Sequence, residues 1–330
     1  MHDASAVRLV LAGGRRACLA LLASLALASP AVADYPDRPI RVIVPFPPGG
    51  GTDIIARLVA QKLGDALHVA TVVENKPGAD SMIGTSFIAH APPDGYTLGV
   101  ISQSLTINKT LHPEADFDAL RDVKPVAMLL TTPMYLVANP ALKVSTLSDL
   151  VALAKKNPGT LNYSTSSTAA LVAGELLATA LGVDVMRIPY KGSAPAVAAV
   201  VSGEVSYTID TLLATKGFID GGKLKLLAVT SSQRAVQMPR APTVTEAVGK
   251  PFEIYSWFAL VAPGGTPSPI VERLNAEVRA ILAQPDVAQR MVELGGAPTP
   301  MSSKQVADFV GAEAARYEDI VKARKITASQ

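Results

Sequence analysis

Residues 40–53 read Ile40-Arg41-Val42-Ile43-Val44-Pro45-Phe46-Pro47-Pro48-Gly49-Gly50-Gly51-Thr52-Asp53. The first five form a compact, β-branched run of the kind that fills a buried strand. Prolines and glycines then break the strand, and a helix starts near Thr52 or Asp53. Along it Ile55, Leu58, Val59, Leu63 and Leu67 recur at helical spacing. A strand that feeds a helix through a Gly-rich turn is the unit of α/β folds with mostly parallel sheets.

The same rhythm continues outward. Residues 69–73 read as a strand, Asn75-Lys76-Pro77-Gly78 as a turn, 81–90 as a helix and 96–101 as a strand. The apolar stretch 126–138, broken by Pro133, reads as a strand pair or as a strand leaving a first lobe. The pattern then restarts. A helix begins at Ser145 or Thr146, a strand covers 161–164, a helix 168–181 and a strand 185–188, after which Pro195 opens a helix at its first position. Strands at 205–209 and 224–230 complete a second sheet, and 254–262 carries the chain back. Three helices, 268–283, 285–294 and 303–323, end the protein, the first capped by Ser268 with Pro269 behind it. The expectation is two α/β lobes, 34–137 plus 254–330 and 138–253, with a ligand cleft at the carboxyl ends of the strands.

The N-terminus decides the compartment. Arg8, Arg15 and Arg16 precede an apolar run from Ala17 to Ala28, and Ala31-Val32-Ala33 supplies small residues before Asp34. That is the layout of a cleaved secretory signal, 1–33, and a run of about 12 residues is too short for the roughly 20 of a membrane span. Cleavage takes Lys plus Arg from 30 to 27 and Asp plus Glu from 28 to 27, so a formal charge of +2 becomes zero. No electrostatic footprint for nucleic acid remains. Cys18, the one cysteine, also leaves, so the remaining chain has neither disulfide nor thiolate metal site. At 49% hydrophobic residues it has ample material for a core.

Two loops stand out chemically. In Phe46–Asp53 the glycines allow close backbone approach, and Gly50, Gly51, Thr52 and the helix start favour an anion; equally, Thr52 or Asp53 simply caps the helix. Ser164-Thr165-Ser166-Ser167-Thr168 precedes another helix. Its hydroxyls either cradle a carboxylate without adding charge or serve as cap and turn residues. Pro189-Tyr190-Lys191-Gly192-Ser193 occupies the same place in the next unit. Asp210, after a strand, faces the cleft or caps a helix. Catalytic signals are missing: His68, His90 and His112 are scattered, and there is no GxSxG, HExxH, GxGxxG or GxxxxGK[ST].

The landmarks in order are PFPPGGGTD, VENKPGA from Val73, PDGYTL from Pro93, LNYS from Leu161, PYKGSAPA from Pro189, LLAVTS from Leu226, RAPTVTEA from Arg240 and SWFALVAPGGTP from Ser256. Over essentially the whole chain after residue 33, this series resembles the Bug receptors, the extracytoplasmic binding components of tripartite tricarboxylate transporters. The resemblance implies a type II periplasmic-binding-protein fold, a monomer in the periplasm, a small carboxylate ligand, a two-component membrane permease as partner, and neither cofactor, metal nor catalysis. It implies that one ligand carboxylate sits at Thr165, Ser166, Ser167 and Thr168. The other end meets Phe46, Gly50, Gly51, Thr52 and Asp53 and the loop Ser102-Gln103-Ser104; Tyr190 and Asp210 join the candidate set from their places between strands and helices, not from the resemblance. Relatives carry a glycine-containing loop with a His-Leu pair before the second-lobe helix; STSSTAALVAGE is shorter and has no histidine, which leaves ligand orientation open. The competing functions are a flytrap sensor for a signalling partner and an α/β hydrolase.

Overall fold

The run Ile40–Val44 forms strand β1, and the glycine turn delivers the chain into helix α1, Gly51–Leu67, whose buried stripe includes Ile55, Val59 and Leu63. The computed structural model describes residues 35–327. The chain divides into Met1–Asp37 and Arg38–Gln330, and the fold lies in the second unit. The expected leader, 1–33, falls outside the described residues. Among the described residues no helix is long and apolar enough to cross a membrane.

Strands β2 (Thr71–Asn75) and β3 (Thr97–Ser102) flank β1 in parallel, with helix α2 (Met82–Ala89) between them in sequence and α3 (Ser104–Leu111) after them. Residues 123–138 are one 16-residue strand, β4, rather than a pair. As far as Pro133 it runs antiparallel to β9 (Tyr255–Pro263), which also pairs with β3. From Met134 onward it pairs instead with β7 (Tyr207–Thr211) and β8 (Lys225–Val229). Pro133 is tolerated because it stands where the ladder changes partners, a position that asks little of a missing N–H.

The second sheet continues from β7 to β5 (Asn162–Thr165) and β6 (Met186–Pro189), all parallel. The path through the ten strands is β2-β1-β3-β9-β4-β7-β5-β6, with β8 and β10 (Ala297–Pro298) attached to β4. The remaining helices are α4 (Leu147–Lys156), α5 (Thr168–Leu181), α6 (Ser193–Ser202), α7 (Leu212–Asp220), α8 (Val244–Val248), α9 (Ser268–Leu282), α10 (Pro285–Glu293) and α11 (Ser303–Arg324).

Local chemistry sets several ends. Capping boxes start α4 at Thr146 with Asp149, α8 at Thr243 with Glu246 and α11 at Ser302 with Gln305. Two expected starts differ. Pro195 is the third residue of α6, and Pro267 rather than Ser268 precedes α9, so Ser268 and Pro269 fill its first turn. Proline is acceptable in a first turn because those N–H groups have no partner in the helix anyway.

Ile43, Ile101, Met128, Trp257 and Val306 belong to one apolar cluster of the first sheet. On the second sheet, Leu136, Tyr163, Leu177 and Ile209 fill one cluster and Tyr135, Val197 and Val229 another. A fourth cluster, with Ile107, Leu171, Val172, Tyr317 and Val321, joins α3, α5 and α11 and so ties the two halves together. Full burial of such a side chain stabilises by roughly 1.5–3 kcal/mol.

Candidate functional site

Four helix starts meet at one cleft. Gly50, Ser167, Gly192 and Thr211 are the residues immediately preceding α1, α5, α6 and α7. All four line the same space, with Phe46, Pro47, Pro48, Gly51, Thr52, Ser102, Ser256 and Phe258 from one side and Met134, Ser166, Ala169, Ser193, Ala194 and Asp210 from the other. The first N–H groups of a helix have no intrahelical partner and carry the positive end of its dipole. Ser167 Oγ accepts from Ala170 N–H at 3.3 Å, whereas Gly50, Gly192 and Thr211 make no side-chain cap. Hydroxyl and main-chain donors therefore converge on a space whose lining includes no lysine, arginine or histidine.

The walls approach closely. A Cβ on Gly51 would stand 3.3 Å from Leu213 Cδ1 and 3.4 Å from Thr211 Oγ1, so a side chain there would press tightly against the opposite wall. Gly192, at φ +110°, faces Pro47 in the same way, with Pro47 Cγ 3.2 Å from a Cβ position.

A buried carboxylate holds the Gly-rich loop. Asp53 Oδ2 accepts from Gly49 N–H at 3.0 Å and Arg57 Nε at 3.0 Å, and Oδ1 accepts from Asn75 Nδ2 at 2.9 Å. Asn75 Nδ2 also donates to Phe46 O at 3.0 Å, so one network spans both ends of the turn. Burial raises the Asp53 pKa, but the hydrogen bonds from Arg57, Gly49 and Asn75 together with the Arg57 charge prevail and hold it below its ordinary value.

Of the residues expected from the sequence, Phe46, Gly50, Gly51, Thr52, Ser102, Ser166, Ser167 and Asp210 line the cleft. Thr165 and Thr168 are buried on either side of Ser166 and Ser167. Gln103 is fully buried, its Oε1 accepting from Ser256 Oγ at 2.9 Å and Trp257 N–H at 3.1 Å. Ser104 N–H donates to Ser102 Oγ at 3.4 Å. The Tyr190 hydroxyl donates to Glu204 at 2.9 Å, away from the lining residues. Pro47, Pro48, Gly192 and Ser193 also line it, from loops the sequence marked without naming them as ligand contacts, and the lining residues outside those loops are Met134, Ala169, Ala194, Thr211, Ser256 and Phe258. Ser193 and Thr211 carried a signal, since each stands between an expected strand and the next helix. Met134 and Ser256 arrive only through the pairing of β4 with β7 and β9.

Eight buried side-chain polar atoms among the described residues make no hydrogen bond, and four of them belong to Ser104, Thr168, Asp210 and Thr211. Buried polar groups are normally paired, so four such atoms on or beside one cleft mark it as built for something polar. Asp210 Oδ1 accepts from Ser193 Oγ at 3.1 Å and Thr211 N–H at 2.7 Å, while Oδ2 has no partner. Burial pushes the Asp210 pKa up, against the opposing pull of Thr211, Ser166 and Ser193. Among the described residues no group of three or more His, Cys, Asp or Glu lies together as a metal site would require.

The family model described as tripartite tricarboxylate transporter family receptor matches residues 55–326. Protein BugT of Bordetella pertussis is 37% identical over 306 residues, covering 91% of this chain and 94% of BugT. Rpa4515 of R. palustris, solved with adipate, superposes with a TM-score of 0.86 at 34% identity, covering 89% of this chain and 99% of that one. The periplasmic binding protein BugD superposes at 0.84 with 31% identity, covering 89% and 99%. The fold is that of the type II periplasmic binding proteins, two lobes with a ligand cleft between them.

Proposed function

The chain belongs to the tripartite tricarboxylate transporter receptor family, whose members are substrate-binding proteins, and from that premise we propose that it captures a small organic carboxylate and delivers it to a two-component membrane permease. The observation that carries the carboxylate reading is the meeting of four helix starts and several hydroxyls at one cleft without a cation. Such a site holds an anion with neutral donors, as helix N-termini do elsewhere. Adipate in the similar Rpa4515 supports the same ligand class.

In this reading the lobes are 34–137 plus 254–330 and 138–253, and they close over the ligand. One carboxylate lies at the start of α5, near Ser166, Ser167 and the unpartnered Thr168 hydroxyl. The other end lies at Gly50, Gly51, Thr52 and Ser102, with Asp53 and Gln103 fixing the walls behind them. The protein works as a periplasmic monomer, exported by a leader ending at residue 33, and binds without turnover.

Thermal melts of residues 34–330 against a panel of di- and tricarboxylates, acidic amino acids and aromatic acids test the binding step. A ligand at a hundred times its Kd stabilises by about 2.7 kcal/mol. If no member of the panel raises Tm or gives calorimetric heat, the carboxylate reading fails. N-terminal sequencing of the exported protein should begin at Asp34, and uptake of the bound acid should be lost when the permease is deleted.

A further inference from the structure

We propose that Asp210 engages the bound anion as a neutral acid, its Oδ2–H donating to a ligand carboxylate, so that capture takes up one proton from solvent. The inference rests on the carboxylate reading of the cleft and assigns one of its walls a chemical role. Three features carry it. Asp210 is 3% exposed and lines the cleft. The two hydrogen bonds of good geometry, from Ser193 Oγ and Thr211 N–H, end on Oδ1; the Ser166 and Thr211 hydroxyls lie close by, and Oδ2 stays buried with no bonded partner. The lining also includes no cation that would let two carboxylates share the space as anions.

The surroundings leave the proton to be exchanged at Asp210 itself. Tyr135 lies directly across from it in the β4–β7 register, but burial holds that phenol neutral and its hydroxyl bonds to nothing, Asp210 included. Asp53, on the opposite wall, is tied to Arg57 and Asn75. Lys191, before α6, is exposed, and Lys216 and Asp220 of α7 pair with each other. The influences on Asp210 are burial and uncharged or main-chain hydrogen-bond donors, with no charged side chain among them.

Before ligand enters, the helix starts of α6 and α7 offer an ionised Asp210 partial compensation. A ligand carboxylate competes for those same donors. Two full charges about 4 Å apart at this depth repel by an amount worth on the order of a thousandfold in affinity, whereas a protonated Asp210 turns the repulsion into a hydrogen bond. The balance is simple: one H⁺ from water ends on Oδ2, and no bond in the ligand changes.

Titration calorimetry with adipate and with succinate between about pH 7 and about pH 9, where both carboxyl groups of such acids are already ionised, reads the coupling directly. The expected result is a Kd that rises up to about tenfold per pH unit over part of this range, with heats that vary with buffer ionisation enthalpy as uptake of a proton requires. Asp210→Asn keeps an Oδ1 acceptor for Ser193 and Thr211 and adds a permanent N–H donor. It should lose the pH dependence and bind more tightly than the native chain at the alkaline end. A Kd independent of pH, or one that falls as pH rises, overturns the inference from the native chain alone. So does loss of binding in a folded Asp210→Asn variant, which is the signature of an ionised Asp210 paired with a ligand cation. Failure of every acid in the wider panel to bind at any pH is a different result, and it removes the carboxylate reading itself.

Discussion

Replacing Gln103 by leucine separates a wall-forming side chain from a ligand contact. Gln103 Oε1 accepts from Trp257 N–H at 3.1 Å and Ser256 Oγ at 2.9 Å, and Nε2 donates to Tyr255 O at 3.4 Å. Leucine fills a similar volume but strands these groups. The Trp257 N–H sits in the buried interior of β9 and has nowhere to turn, which costs about 1–3 kcal/mol. Ser256 lines the cleft, so its hydroxyl can rotate toward solvent at a smaller cost. The long contact to Tyr255 O adds little. The total is about 2–3 kcal/mol, or roughly 3–5 °C in Tm for a chain of this size. Trp257 is the one tryptophan in the sequence and is fully buried, so its emission wavelength follows the same transition without a label. A Tm within about 2 °C of the native chain, paired with a large loss of adipate affinity, would refute the argument. It would instead place the Gln103 amide on the ligand.

Four further substitutions test particular positions. Asp53 is ionised and held by Arg57, Gly49 and Asn75, and its folded pKa is depressed. The stability it contributes is present above the ordinary carboxylate pKa near about 4 and is lost as pH falls through the lower folded value. Asp53→Asn should therefore lower Tm at neutral pH and flatten the acid limb of a Tm-against-pH curve, and an acid limb as steep as that of the native chain would count against the network. Gly174→Ala puts a methyl 2.2 Å from Cε2 of Tyr163, a buried ring stacked on Tyr207, so urea unfolding should show a loss of about 1–3 kcal/mol. Gly192→Ala adds both backbone strain and a methyl near Pro47 across the cleft, whereas Gly222→Ala adds strain at φ +69° with open space around it. Each should lose about 1–2 kcal/mol of stability, but only the first should weaken ligand binding in calorimetry.

The strand–turn–helix units are legible because each carries its own punctuation. β-branched runs end at Gly, Pro or hydroxyl clusters, and apolar residues then recur at helical spacing, as from Ile40 to Leu67. The same local grammar points to Gly50–Thr52 and Ser166–Ser167 as cleft residues, since each stands between a strand and a helix. It says less where short helices carry no clear signal. α3 and α7 follow directly on strand ends, with no turn between to announce them. It says nothing where the site depends on pairing between distant segments. Met134 and Ser256 enter the cleft because β4 exchanges partners after Pro133 and β9 lies beside it. Nor does a sequence show how hydrogen bonds are shared. Asp53 stands in the first turn of α1 and Asp210 next to the end of β7, both close to a helix start, yet one is saturated by Arg57, Gly49 and Asn75 and the other keeps an oxygen bare.

The place of β9 has a consequence for how the chain comes together over time. It lies between β3 and β4, in the interior of the first sheet, although almost all of the second sheet precedes it in sequence. As the polypeptide emerges from its amino end, β1, β2 and β3 wait with an open edge until Tyr255–Pro263 arrives. Meanwhile β5, β6, β7 and β8 already have one another and the far end of β4. The middle of the chain is thus the part able to condense first, and the first half is left exposed the longest. Slow closure of distant pairings of this kind is a recognised source of aggregation-prone intermediates. For this molecule, the vulnerable interval ends when β9 slots into place.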